Sequence, residues 1–280
     1  MENKLIQQLA DLAESFAKIG LQPVICGGLG IYLCFYKNQG DAQQMIRTTN
    51  DIDLMLTATQ VFEQSRCRVI AELITGELDY SLCEDGQCFR FKKEPDQRLD
   101  VLAPPVNGFN TEGGRVKFVK SILHGRLTNE ACFIEEDLRT ISLSAFFPDD
   151  KSKQTLAVMV PSPTNLLIMK LFAFNDRNEP PREDTERAQA QAWDIYITIM
   201  LADRNDYLQG QKFLQRHRDS DIIRTAQSIV RNKFSTVDQR GWRSVLQASD
   251  FYPDLNRQQK EAELETAKAR LLRWFNLKNT

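Results

Sequence analysis

Asp51 and Asp53 stand two residues apart in "RTTNDIDLML", residues 47–56, hard against the apolar run of Ile52, Leu54, Met55 and Leu56. The run reads as a buried strand. Side chains i and i+2 of a strand share a face, so the two carboxylates emerge together while Ile52 and Leu54 turn the other way. Partly desolvated and side by side they repel, and one would take up a proton unless a cation sits between them. Magnesium meets that need, because it binds through one or two carboxylates and the phosphates of a substrate. For an Asp-x-Asp taken alone, a solvated strand end is the better explanation.

Two further features bear on the choice. In "VICGGLG", Gly27 and Gly28 fall at a strand-to-helix turn, where bare backbone N–H groups can approach phosphate oxygens and the helix dipole favours negative charge. A tight turn with no ligand is the alternative. In "RLDVL", Asp100 is a third carboxylate within an apolar strand, opposite in facing to Leu99 and Val101. It needs a partner there. Arg98 or Arg47 in an ordinary salt bridge would serve as well as a metal ion.

The elements that must carry these residues alternate over the first 160 positions. "MENKLIQQLADLAESFAKIG" is an amphipathic helix, "QPVICGG" a short buried strand, "LGIYLCFYK" a helix and "DIDLMLT" a strand. Residues 58–75 have helical spacing. Strand-like pieces follow at 78–83, 88–93, 97–104 and 116–120, then in "LRTISLSAFF" and "TLAVMVP". From 161 the pattern is helical, opening with Ser162 as N-cap and Pro163 in the first turn, and broken at "NEPPRED". The expected organisation is an α/β domain over 1–160 with a mixed sheet, followed by an all-helical domain over 161–280.

Composition narrows the function classes. The chain has 280 residues, 42% hydrophobic and 26% charged, in the range of a folded globular protein. No segment approaches the roughly 20 apolar residues of a membrane span, and the N-terminal helix lacks the apolar core of a signal peptide. The expectation is a cytoplasmic protein with no membrane partner. Six cysteines form no Cys-x-x-Cys pair, and two histidines, His124 and His217, have no ligand-like companions. These counts speak against a zinc site and a Ser-His-Asp hydrolase. Residues 201–280 hold 15 Lys and Arg against 10 Asp and Glu, a net of +5, against −7 for residues 1–200. A basic C-terminal part suits a polyanionic partner, although a solvated helical surface accounts for it equally.

Taken together, the glycine pair, the Asp-x-Asp and the later strand aspartate resemble the polymerase-β-like nucleotidyltransferase superfamily. Within it, "GGLGIYL" followed by "RTTNDIDL" is similar to the AbiEii/MenT-type nucleotidyltransferase toxins of abortive-infection and toxin–antitoxin systems. The resemblance covers about residues 20–200. It implies a polymerase-β-like fold in the first domain, two Mg²⁺ ions held by Asp51, Asp53 and Asp100, and a triphosphate cradled by Gly27 and Gly28. It further implies nucleotide contacts from Arg47 and Thr49 in the Arg-x-Thr-x-Asp strand. "MKLFAFNDR" supplies Lys170, Ala173 and Arg177, of which Lys170 and Arg177 would contact the nucleotide. "AWDIYI" supplies Asp194 as an acidic residue near the base or the acceptor.

The chain departs from the family at Leu29, where a small hydroxyl residue is usual, and in the 22 residues separating Gly28 from Asp51. The resemblance implies transfer of NMP from an NTP to an acceptor hydroxyl, with RNA such as tRNA as acceptor and an antitoxin protein as partner. Two alternatives stay open: an antibiotic-type enzyme acting on a small molecule, and a non-catalytic protein binding a nucleotide or a partner. Trp242, Phe251 and Trp274 offer aromatic rings for base stacking, with helical core packing as the simpler expectation.

Overall fold

A computed structural model describes residues 2–37, 49, 51–61, 64–83, 88–93, 97–107, 109–111, 113–118, 122–180 and 183–278. The chain divides into two compact units, Met1–Cys34 with Thr48–Ser162, and Phe35–Arg47 with Pro163–Thr280. Among the described residues, no helix is long and apolar enough to cross a membrane.

Among the described residues, the first unit is built on a nine-stranded mixed sheet. Helix α1 (Glu2–Lys18) leads into β1 (Val24–Cys26), α2 (Gly27–Phe35) and β2 (Asp51–Met55). Then come the single turn α3 (Ala58–Val61), α4 (Gln64–Glu72), and β3 (Ser81–Leu82) to β9 (Ala157–Val160). The intervening strands are β4 (Arg90–Lys93), β5 (Gln97–Ala103), β6 (Arg115–Lys117), β7 (His124–Leu127) and β8 (Arg139–Ser142). Their spatial order is β3-β4-β5-β2-β1-β9-β8, with β7 joined to β5 and β6 to β7. Strands β2 and β5 run parallel at the centre, while β1 lies antiparallel to β2 and β4 antiparallel to β5. One edge of β5 is shared: β4 pairs with Gln97–Asp100, and β7 with Leu102 and Ala103.

Alternation sets the faces. Ile52, Leu54, Phe91, Leu99, Val101, Ala103 and Val116 are all buried, each aliphatic side chain contributing about 1.5–3 kcal/mol. On α1, Ile6, Leu9, Ala10, Ala13 and Phe16 form a buried stripe at helical spacing. Ser15 and Lys18 of that helix both donate to the Glu77 carboxylate, at the end of a π-helical turn over Leu73–Glu77. Residues 58–75 are therefore two short helices and a π-turn. The strand expected at 78–83 shortens to Ser81 and Leu82, because Leu78 still closes the π-turn on the Leu73 carbonyl. Strand β7 was not anticipated: "HGRL" has no apolar alternation to mark it.

The second unit is helical: α5 (Pro163–Arg177), α6 (Thr185–Leu201), α7 (Arg204–Arg216), α8 (Asp221–Phe234), α9 (Arg240–Leu246) and α10 (Arg257–Trp274). Asp184, Asp203, Ser220 and Asn256 cap four of these helices through their side chains. Trp242, Phe251 and Trp274 are buried. Phe251 packs edge-on against Trp193 and Tyr196, and the Trp242 indole donates to the Phe234 carbonyl. They are core residues, so base stacking by these rings is ruled out.

Candidate functional site

The centre of the sheet brings the three strand aspartates to one face. Asp53 lies opposite Asp100 in the parallel β2–β5 register, and Asp51 lies opposite Arg98. Thr49, just ahead of β2, donates its hydroxyl to the Asp51 carboxylate. Asp51 is exposed, and Asp53 and Asp100 are half-buried. The same face turns apolar at the far end of these strands, where Met55 and Leu102 are buried.

Gly27 sits against this face. It follows Cys26, whose register partner is Asp53, and it opens α2 with φ of +66°. A Cβ built there would lie 1.8 Å from Asp53 Oδ2. The glycine is thus required twice, once by its left-handed backbone and once by the carboxylate over it. Gly28 lies in the same helix start and is buried. Leu29 is buried in the core.

Asp100 finds its cation across the other side of β5. Arg90 is its direct antiparallel partner in β4, with Nε 3.7 Å from Oδ2. Arg90 was not among the cations expected for Asp100; of those, Arg98 acts on it only through its charge and Arg47 lies outside the described residues. Burial pushes the Asp100 carboxyl above its ordinary range; Arg90 and Arg126 oppose that, the Asp51 charge adds to it, and Arg98 opposes it weakly. Arg90 and Arg126 were missed by sequence reading, though the alternation in "FRFKK" marked a strand with a basic face.

In the second unit, Lys170 of α5 and Asp194 of α6 form an ion pair, Nζ to Oδ2 2.6 Å, with side chains 9% and 5% exposed. The resemblance assigned them separate roles; the structure joins them. Arg177, in the last turn of α5, is half-buried, and its carbonyl accepts from Asp184 N–H at 2.8 Å. Arg47 lies outside the described residues.

The donor set on the sheet consists of carboxylate oxygens from adjacent strands, the chemistry a hard divalent cation requires. The missing Cβ at Gly27 is what gives the Asp53 carboxylate its place on this face. Among the described residues, however, no group of three or more His, Cys, Asp or Glu side chains is gathered closely enough to hold a metal ion. The carboxylates share a face without converging on a point. No family model, no curated protein and no solved structure matches the chain.

Proposed function

We propose that the chain is a nucleotidyltransferase of the polymerase-β-like type, moving NMP from an NTP to an acceptor hydroxyl with release of pyrophosphate. The observation that carries this reading is the register of Asp53 against Asp100, with Asp51 on the same face and Gly27 pressed beneath Asp53. Carboxylates placed together on a central sheet, one of them with its proton affinity raised by burial, are a functional arrangement more than a stabilising one. Asp51, Asp53 and Asp100 are the residues that would hold Mg²⁺ if their carboxylates, which share a face without converging, closed on an ion. The ion would supply charge neutralisation for the attacking and leaving oxygens.

The chain's own groups divide the remaining tasks. Asp100, with its proton affinity raised by burial, is suited to accept the proton of the acceptor hydroxyl. Arg90 holds its carboxylate in place. Thr49 orients Asp51, and Gly27, lacking a Cβ, lets the Asp53 carboxylate lie against the start of α2. Lys170 and Asp194, locked together, are assigned to keeping α5 and α6 in register, with direct nucleotide contact from Lys170 a weaker reading. RNA is the acceptor class that the basic side chains around the carboxylates favour, since a cationic small molecule would be repelled by them. A toxin role with an antitoxin partner is the biological setting that the sequence resemblance suggests.

The test uses purified protein, Mg²⁺, each α-labelled NTP in turn and total bacterial RNA, beside Asp51→Asn/Asp53→Asn. Label on a discrete RNA band with the unaltered protein alone supports the proposal. No pyrophosphate release with any of the four nucleotides, over RNA and a metabolite panel, would sink it.

A further inference from the structure

Beside the carboxylates, the same face of the sheet is lined with cations. Register fixes which side chains share it. Arg90 and Lys92 of β4 lie opposite Asp100 and Arg98 of β5. Arg126 of β7 lies opposite Leu102, which is two residues beyond Asp100 and so faces the same way. Arg115 and Lys117 of β6 lie opposite Arg126 and His124. These four strands therefore present six Lys or Arg side chains and one carboxylate, Asp100, on this face. The opposite face of the same strands is the apolar core, with Phe91, Leu99, Val101 and Val116 each 1% exposed or less.

We propose that this flank, β4 with the β6–β7 hairpin, binds the phosphodiester backbone of a single-stranded RNA and leads its end to the carboxylates. The inference rests on the nucleotidyltransferase reading for the direction of the strand, and on charge complementarity for the partner. Strands β4 and β7 run end to end along one edge of β5, where His124 N–H donates to the Cys88 carbonyl at 3.3 Å. Cations two residues apart on a strand are about 6.8 Å apart, a spacing that an extended single strand can follow with successive phosphates. Lys92 and Arg98 are exposed, and Arg90, Arg115, Lys117 and Arg126 are half-buried, so the guanidinium and ammonium groups rest on fixed strands. The local field is visible at His124, whose imidazole is pushed below its ordinary value by burial and then by Arg115 and Lys117. The basic excess that composition placed in residues 201–280 lies instead on helix surfaces, where Arg218, Arg224 and Arg257 are 67%, 58% and 82% exposed and each already faces an acidic neighbour.

Binding of a labelled 20-nucleotide single-stranded RNA is measured against salt, without NTP, so that catalysis plays no part. The flank variant Lys92→Ser/Arg115→Ser/Lys117→Ser is expected to weaken binding at least 10-fold at low salt. It should also lower the slope of log K against log salt by about 2, three phosphate contacts at about 0.7 each. Arg218→Ser/Arg224→Ser/Arg257→Ser should leave the slope as it was. The charge-conserving Lys92→Arg/Arg115→Lys/Lys117→Arg should keep it too, which separates lost charge from lost folding. An unchanged slope in the flank variant overturns the proposal, as does loss in the helical variant alone, or binding to phosphatidylserine vesicles with none to RNA. Salt-dependent RNA binding through the flank without NMP transfer would leave the RNA-binding surface standing and remove the enzyme reading together with the strand direction that rests on it. Transfer to RNA that is indifferent to the flank variant would do the reverse.

Discussion

Arg90–Asp100 on the sheet and Lys170–Asp194 between α5 and α6 are the same chemistry in two surroundings. The first is 3.7 Å long, with side chains 32% and 20% exposed, and it shares its face with further aspartates and arginines. The second is 2.6 Å long and almost sealed. A sealed pair has paid its desolvation on both sides and can only be kept intact. The looser pair keeps one carboxylate within reach of solvent, of a second cation and of a proton. The contrast suggests that the helical unit uses its ion pair to fix packing, whereas the sheet holds its pair ready for exchange.

The sharpest way to break the comparison is to remove one partner of each. Lys170→Met or Asp194→Leu should each destabilise the protein by about 3–5 kcal/mol, and the double variant by less than either alone; urea unfolding midpoints check this. If Lys170→Met leaves the midpoint in place, the pair is not structural. Next in size is Asp53→Asn, expected to lower NMP transfer by about 10²–10³-fold, with a change in stability of no more than about 1 kcal/mol. Equal transfer rates at saturating Mg²⁺ would remove Asp53 from the site. Gly27→Ala should cost about 1–2 kcal/mol from the left-handed backbone alone, and it should also displace the Asp53 carboxylate. A fully stable Gly27→Ala protein would show that the turn relaxes.

The smallest effect is a slope with pH. Because the folded-state value of Asp100 is raised above its ordinary 3.8, its contribution to stability is present below that value and is lost as pH rises through the folded value. Asp100→Asn should therefore remove a decline in stability that begins just above pH 3.8. Arg90→Gln should act in the opposite sense, steepening the decline and moving the acid limb of NMP transfer to higher pH, since Arg90 holds the carboxyl down. Stability curves for the two variants that overlay across pH 3.8 to 7 would contradict the assignment.

Much of the sheet centre was legible in the chain because each strand carried its own marker. Ile52 and Leu54 alternate with Asp51 and Asp53, and Leu99 and Val101 flank Asp100, so period 2 alone assigned the faces. The mixed α/β character and the helical C-terminal region follow from the same local signals. Strand β7 did not announce itself, because Gly125 and Arg126 owe their place to β5: Gly125 lies under Ala103, where a Cβ would come within 2.5 Å of the Ala103 side chain. Trp242, Phe251 and Trp274 could be read either way until their burial was known.

The sequence by itself determined that three aspartates would stand at strand positions facing away from apolar neighbours, and that a glycine turn would precede them. These are consequences of local periodicity and backbone freedom. Only the tertiary structure decided that Asp53 meets Asp100, that Arg90 takes the place expected for Arg98, that Lys170 closes on Asp194, and that six cations from four strands share one face. Register and strand order are long-range pairings, and nothing in the spacing of residues along one strand records which neighbour it will find.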